Sequence, residues 1–112
     1  MNEQQIKVID DELIAYNNRD IDTFCSFYHQ DAVVLRLDGS SVAKGLSQIK
    51  EVYGRFFDKH PNLHCELKSR IVTEDKIIDE EMITGKPDYP NGQHAVVIYQ
   101  FQGNLISKVW FV

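Results

Sequence analysis

The sequence predicts an α+β protein built around one core, and three observations carry that prediction. The first sixty residues hold three segments with apolar side chains at helical spacing, together with a single strand. The rest of the chain reads as four consecutive strands separated by turn residues. The last two strands, Ala95 to Phe101 and Leu105 to Val112, flank a Gln-Gly-Asn turn and are apolar on both faces.

Residues 3–18 repeat Ile6, Ile9, Leu13 and Tyr16, a helical stripe with a polar back that breaks at Asn17, Asn18 and Arg19. Asp20 is placed to cap a short second helix through Tyr28, with Ile21, Phe24, Phe27 and Tyr28 on its buried side. His29 to Asp31 forms a connector to a strand over residues 32–37, which the Asp38-Gly39-Ser40-Ser41 turn ends. A third helix over residues 45–59 aligns Leu46, Ile49, Tyr53, Phe56 and Phe57, with Ser47 as its cap and His60-Pro61 as its stop. Strands over residues 63–72 and 76–85 meet at Thr73-Glu74-Asp75, and a turn-rich loop over residues 86–93 precedes the final hairpin. The predicted order is ααβαββββ: three N-terminal helices packed on a bent, mostly antiparallel sheet, with both layers lining a cone.

At 112 residues the chain forms one domain, residues 1–112, large enough to bury a core without disulfides or metals. A net charge of −5 with no cluster of Lys or Arg argues against a phosphate-backbone binder, so no nucleic acid partner is expected. The polar start, Met-Asn-Glu-Gln-Gln-Ile-Lys, and the lack of any long apolar run predict a cytoplasmic protein without a membrane partner. Cys25 and Cys65 fit no metal or redox spacing and read as small buried apolar residues. His60 and His64 have the spacing of a metal pair, but Pro61 intervenes and no third ligand follows at a fixed spacing, so no metal is expected. No Gly-rich phosphate loop or nucleophile elbow is present, and no cofactor is expected.

A sheet that carries helices on one face needs only that face to be apolar. The second apolar face of the last strands therefore predicts a homodimer formed sheet to sheet, through Val96, Ile98, Val109 and Phe111 on the convex side. Val97, Tyr99 and Trp110 take the inward parity, either as an aromatic wall for a flat apolar ligand or as core. Tyr16, Val34, Tyr53 and Phe57 complete the predicted pocket. On the strand over residues 77–84, Asp79 and Glu81 share one face and Glu80 the other, but Ile78/Met82 and Ile77/Ile83 point to opposite answers on which face is inside.

Five segments, Asp20-Ile21-Asp22, Gln30-Asp31-Ala32, Lys44 to Ile49, Ile78 to Gly85 and Lys108 to Phe111, in this order and spacing, resemble the SnoaL-like group. That group belongs to the nuclear transport factor 2-like (ketosteroid isomerase-like) superfamily, and the resemblance covers the whole chain. It implies a cone-shaped α+β barrel, a deep apolar pocket and a homodimer through the convex sheet face. The superfamily holds isomerases, cyclases, epoxide hydrolases, dehydratases and non-enzymatic binders, so fold does not settle function. The ketosteroid isomerase residues do not carry over. Matched positions place Arg36 where the aspartate base belongs, Glu12 at the tyrosine and Val97 at the protonated aspartic acid. Arginine cannot abstract a proton at neutral pH, and valine has none to donate.

The matched position of Arg36 points into the cone, where its guanidinium either holds an anion of a ligand or pairs with Glu12 or an acid of the third strand, unless a bend in register turns it outward. Asp79 and Glu81 are the candidate acid–base residues beside it, with solvated carboxylates as the alternative. Many SnoaL-like sequences carry histidine at the position of Glu80. Three functional readings follow. The first is a protein that binds a small, largely apolar molecule. The second is a lyase, isomerase or hydrolase using a pocket carboxylate, with Arg36 stabilising an anion. The third is a dimeric interaction module without a ligand, which requires no cavity.

Overall fold

A computed structural model describes residues 1–112. Helix α1 spans Glu3–Asn17, α2 Ile21–Ser26 and α3 Leu46–Lys59, and the strands are β1 Tyr28–Arg36, β2 Ser41–Lys44, β3 His64–Val72, β4 Lys76–Thr84, β5 Gln93–Gln102 and β6 Leu105–Phe111. The six strands form one mixed sheet in the order β2-β1-β6-β5-β4-β3. Only β1 and β6 run parallel; the other neighbours are antiparallel. The architecture is the α+β cone predicted from the sequence. The sheet remains open, with β2 and β3 as free edges, so hydrogen bonds do not close it into the expected barrel.

Each helix start has a local cause. Asn2 accepts from the backbone of Gln5, whose side chain accepts in turn from the Asn2 backbone, a capping box that satisfies two free amides of α1. Asp20 caps α2 through the Thr23 amide as expected. Ser47 does not cap α3: the helix starts one position after Gly45, which has a φ of +84° and makes no side-chain cap.

Three element assignments differ from the sequence reading. Helix α2 stops at Ser26, and Tyr28 to Asp31 already belong to β1. The pairing of β1 with β6 is irregular between Tyr28 and Val33, so no simple alternation marks the start of the strand. Strand β2 was absent from the predicted order, which becomes ααββαββββ; four residues at a sheet edge are too few to show a period. The third difference concerns β6. A bulge lets Phe101 pair with Ile106 while Gln100 pairs with Lys108, so one residue of β6 is extra. An inserted residue reverses the facing of everything beyond it. Ile106 is therefore buried, but Val109 and Phe111, not Trp110, continue the helix-covered face opposite Tyr99 and Val97. Trp110 pairs with Ile98 on the outer face.

The core lies between the helices and the inner face of the sheet, where Ile9, Phe24, Ile49, Leu63, Ile77 and Ile106 are almost completely enclosed. Asn17 locks the end of α1 to β3: its amide nitrogen donates to the Cys65 carbonyl at 3.0 Å and its oxygen accepts from the Cys65 amide at 2.7 Å.

Candidate functional site

The cone contains a cavity of about 600 Å³, within the size range of small-molecule sites. Its walls are mostly apolar, from Leu13, Phe24, Tyr53 and Phe56 on the helices and Ile83, Val97, Tyr99 and Val109 on the sheet. Three acidic side chains interrupt them: Glu12 from α1 and Glu81 from β4, exposed to only 4% and 5%, and Asp38, which is exposed to solvent.

Glu12 lies one turn from Val8 and Tyr16, so helical geometry puts it on the buried face of α1. The Tyr28 hydroxyl donates to its Oε2 at 2.6 Å. Burial pushes the Glu12 carboxyl up to about 8; the Tyr28 hydrogen bond opposes this, the charges of Glu81 and Asp79 add to it, and Arg70 weakly opposes it. Burial also pushes Glu81 up, to about 7, helped by the charge of Asp79 and opposed by the Cys65 thiol, which donates to it, and by Arg70. Cys65 itself is pushed up by burial and by Glu81, so its sulfur stays a thiol donor. The charge of Glu81 also raises the Glu12 carboxyl.

Asp79 has a different environment two residues from Glu81 on the same face of β4. It is 1% exposed and accepts a forked pair of hydrogen bonds from Arg70, at 2.7 Å from Nε and 3.0 Å from Nη2. Arg70 Nη1 continues to Asp10 of α1 at 2.7 Å. Asp79 is thus tied into a structural ion pair and does not line the cavity. No group of three or more His, Cys, Asp or Glu residues is arranged to hold a metal ion.

The SnoaL-like domain family matches residues 11–109. The chain belongs to this family. A protein of unknown function with a cystatin-like fold from Novosphingobium aromaticivorans superposes on this SnoaL-like chain with a TM-score of 0.88 at 24% identity, covering 96% of this chain and 97% of that one. A proposed polyketide cyclase from Sinorhizobium meliloti gives 0.81 at 16% identity over 95% and 94%. AclR, a proposed hydroxylase from Streptomyces galilaeus, gives 0.78 at 19% over 96% and 77%. At these identities the likeness is one of fold. A search of curated protein sequences finds no match.

Among the residues named from the sequence of this SnoaL-like protein, Tyr16, Arg36, Tyr53, Glu81, Val97 and Tyr99 line the cavity. Val34 and Phe57 lie behind its wall in the core, and Trp110 lies on the opposite face for the reason given by the β6 bulge. Val96, Val109 and Phe111, expected on the convex face, are among the residues lining the cavity. Arg36 keeps its inward parity beside Val34, but it ends β1 at the mouth of the cone. There it is exposed and hydrogen-bonded to Ser40 Oγ at 3.3 Å, with no ion pair to Glu12. Burial resolves the parity of β4: Ile77, Asp79, Glu81 and Ile83 face inward, and Glu80 faces out, bonded to Ser69 at 2.7 Å and His94 at 2.6 Å.

The sequence reading missed Glu12 as a site residue, along with Tyr28 and Cys65. A signal for Glu12 was present, since it interrupts an apolar stripe at a position three residues after Ile9 and four before Tyr16. Tyr28 and Cys65 had none beyond the apolar character of their segments.

Proposed function

We propose that this SnoaL-like protein catalyses proton transfer on a small, largely apolar molecule held in the cone. One observation supports this reading above the others: two carboxyl groups are buried in the same apolar cavity with no ion-pair partner, an environment that raises both toward neutrality. A protein that only binds an apolar ligand has no need of buried carboxyls, which cost stability whenever they ionise. An interaction module needs no cavity at all.

The roles follow from the environments. Glu81, nearer neutrality, is ionised in a substantial fraction of molecules at pH 7 and serves as the base. Glu12 keeps its proton at that pH; with Tyr28 occupying Oε2, its other oxygen presents the acid to the substrate. Removal of a proton by Glu81 and donation by Glu12 to an oxygen of the same molecule constitutes an isomerisation, or an elimination when that oxygen leaves. The apolar walls exclude water from the transfer. Arg36, exposed at the mouth, suits a permanent charge on the ligand better than an oxyanion developing beside Glu12.

The outer sheet face favours a homodimer of redefined composition. Ile98 and Trp110, with Ile78 from β4, replace the patch that included Val96, Val109 and Phe111. These side chains are half-buried within one chain, and a second copy is the occupant that would cover them without new chemistry.

The test is deuterium incorporation from D₂O into a panel of small cyclic ketones, followed by proton NMR. Exchange should fall about 100-fold in Glu81→Gln and in Glu12→Gln. An unchanged rate in Glu81→Gln would remove it as the base, and carbon-13 titration of both carboxyls near their ordinary range would remove the reading altogether.

A further inference from the structure

Charge is sorted along the cavity. Its buried acids are Glu12 and Glu81, whereas the only Lys and Arg side chains in its wall are Arg36 and Lys86, with the exposed Asp38 beside Arg36. Both cations stand at the mouth. Strand directions require this: β1 and β6 end there, β5 begins there, and β4 ends there before Gly85 and Lys86. Arg36 and Lys86 flank the opening from β1 and from the end of β4, three strand spacings or about 14 Å of backbone apart. A shared anion would draw each side chain from its present partner, Ser40 for Arg36 and Gln93 for Lys86.

Neither cation has a carboxylate partner. Six other Lys and Arg side chains form ion pairs with acids, but Arg36 bonds only to Ser40. Lys86 reaches Gln93 Oε1 at 2.5 Å and sits over the rings of Phe56 and Tyr89, with centroids at 5.6 Å and 5.0 Å. Burial pushes its ammonium down, and Asp88 only partly offsets this. Asp38 is the acid nearest Arg36, yet its carboxylate accepts from the Ser40 amide at 2.8 Å and it makes no ion pair. A ligand anion placed between the two cations would gain from both. Placed at the deep end, it would be repelled by Glu81 and kept from water by apolar walls.

The geometry points to a substrate with an apolar body and a terminal carboxylate, held at the mouth by Arg36 and Lys86 so that the body extends inward to Glu12 and Glu81. This deepens the acid–base reading and rests on it. The sorted charges fix the ligand's direction in the cone: the carboxylate stays out, and the reacting carbon lies inside. Specificity is then set by two residues that take no part in proton transfer.

The experiment compares two probes of the same shape, 2-naphthylacetate and 2-(2-naphthyl)ethanol, by calorimetry at pH 7. Wild type should bind the carboxylate about tenfold more tightly than the alcohol, and the preference should shrink with added salt. Arg36→Gln and Lys86→Gln should each reduce the preference, and the double variant should abolish it while leaving alcohol binding unchanged. Both side chains lie outside the core, so these variants retain the fold. Equal affinity for the probes in wild type, or a preference that survives in the double variant, overturns the proposal. Failure of both probes to bind overturns it as well. The acid–base reading is judged separately, by the titration of Glu12 and Glu81, which the mouth variants leave in place.

Discussion

Replacing Glu12 by Gln gives the most direct test of the buried carboxyl. Folding raises this group from 4.5 to about 8, so between those values the native state holds a proton that the unfolded chain has released. Stability is therefore fully present below the ordinary carboxyl range and is lost as pH rises through the window to about 8. At about 1.4 kcal/mol per pH unit, the interval from 4.5 to 8 amounts to about 5 kcal/mol. The side chain is 4% exposed, so solvent screening takes little from this, while water entering the cavity reduces it to about 2–5 kcal/mol. Gln keeps an acceptor for the Tyr28 hydroxyl and cannot ionise. Urea denaturation at intervals from pH 5 to pH 9 should show wild type weakening as pH rises, with Glu12→Gln close to it at pH 5 and more stable by that margin at pH 9. Glu81→Gln should remove a smaller share, confined to the range between 4.5 and about 7. A wild-type profile that is flat from pH 5 to pH 8, or a Glu12→Gln profile with the wild-type slope, would refute the assignment of a buried proton to this site.

Arg70→Met leaves the Asp79 carboxyl at 1% exposure without its forked partner and should cost about 3–5 kcal/mol. The double variant Arg70→Met/Asp79→Asn should recover much of this in a double-mutant cycle read by denaturation. Gly85→Ala places a Cβ against the carbonyl of Asn62 at a φ of +88° and should cost about 2 kcal/mol or more, read as a lowered Tm. Ile98→Asp, on the outer face opposite Trp110, should convert a dimeric wild type to monomer in sedimentation velocity. A monomeric wild type would remove the dimer.

The fold was legible because its signals are long. The stripe of α3 and the alternation of β3 and β4 extend over nine residues or more, and each predicted span lies within two residues of the observed one. What escaped was local and short. Strand β2 has four residues, and the bulge in β6 is a single extra residue that changes no composition. That one residue moved Trp110 out of the cavity and brought Val109 and Phe111 into it. Glu12 escaped for another reason: an acid on an apolar stripe usually marks an imperfect stripe, and only the cavity beneath it gives the acid a purpose. Tyr28 depended on two errors cancelling, because its burial was predicted but in a helix rather than at the start of β1.

Strand β4 shows how one backbone separates structural from chemical acids. Asp79 and Glu81 are two residues apart, point the same way and are almost equally buried. Their difference lies in their neighbours on β3. The register sets Arg70 opposite Asp79, where its planar fork matches both carboxylate oxygens. Glu81 is opposite Leu67, with only a thiol as donor. The Arg70 guanidinium holds the Asp79 carboxylate in an ion pair within the core. The charge of Asp79 acts in turn on Glu81 and Glu12, adding to the effect of burial on both. The ion pair thus has a second consequence besides joining α1 to the sheet through Asp10. Converting Asp79 to Asn together with Arg70 to Met removes a cation and an anion at once. The carboxyl titrations should then shift by the difference between their effects, downward if Asp79 outweighs Arg70, as the order of influences on both glutamates indicates. A carbon-13 titration showing Glu81 unchanged in that double variant would mean that the Arg70–Asp79 pair has no net effect on its proton affinity, and that burial sets the difference from an ordinary carboxyl.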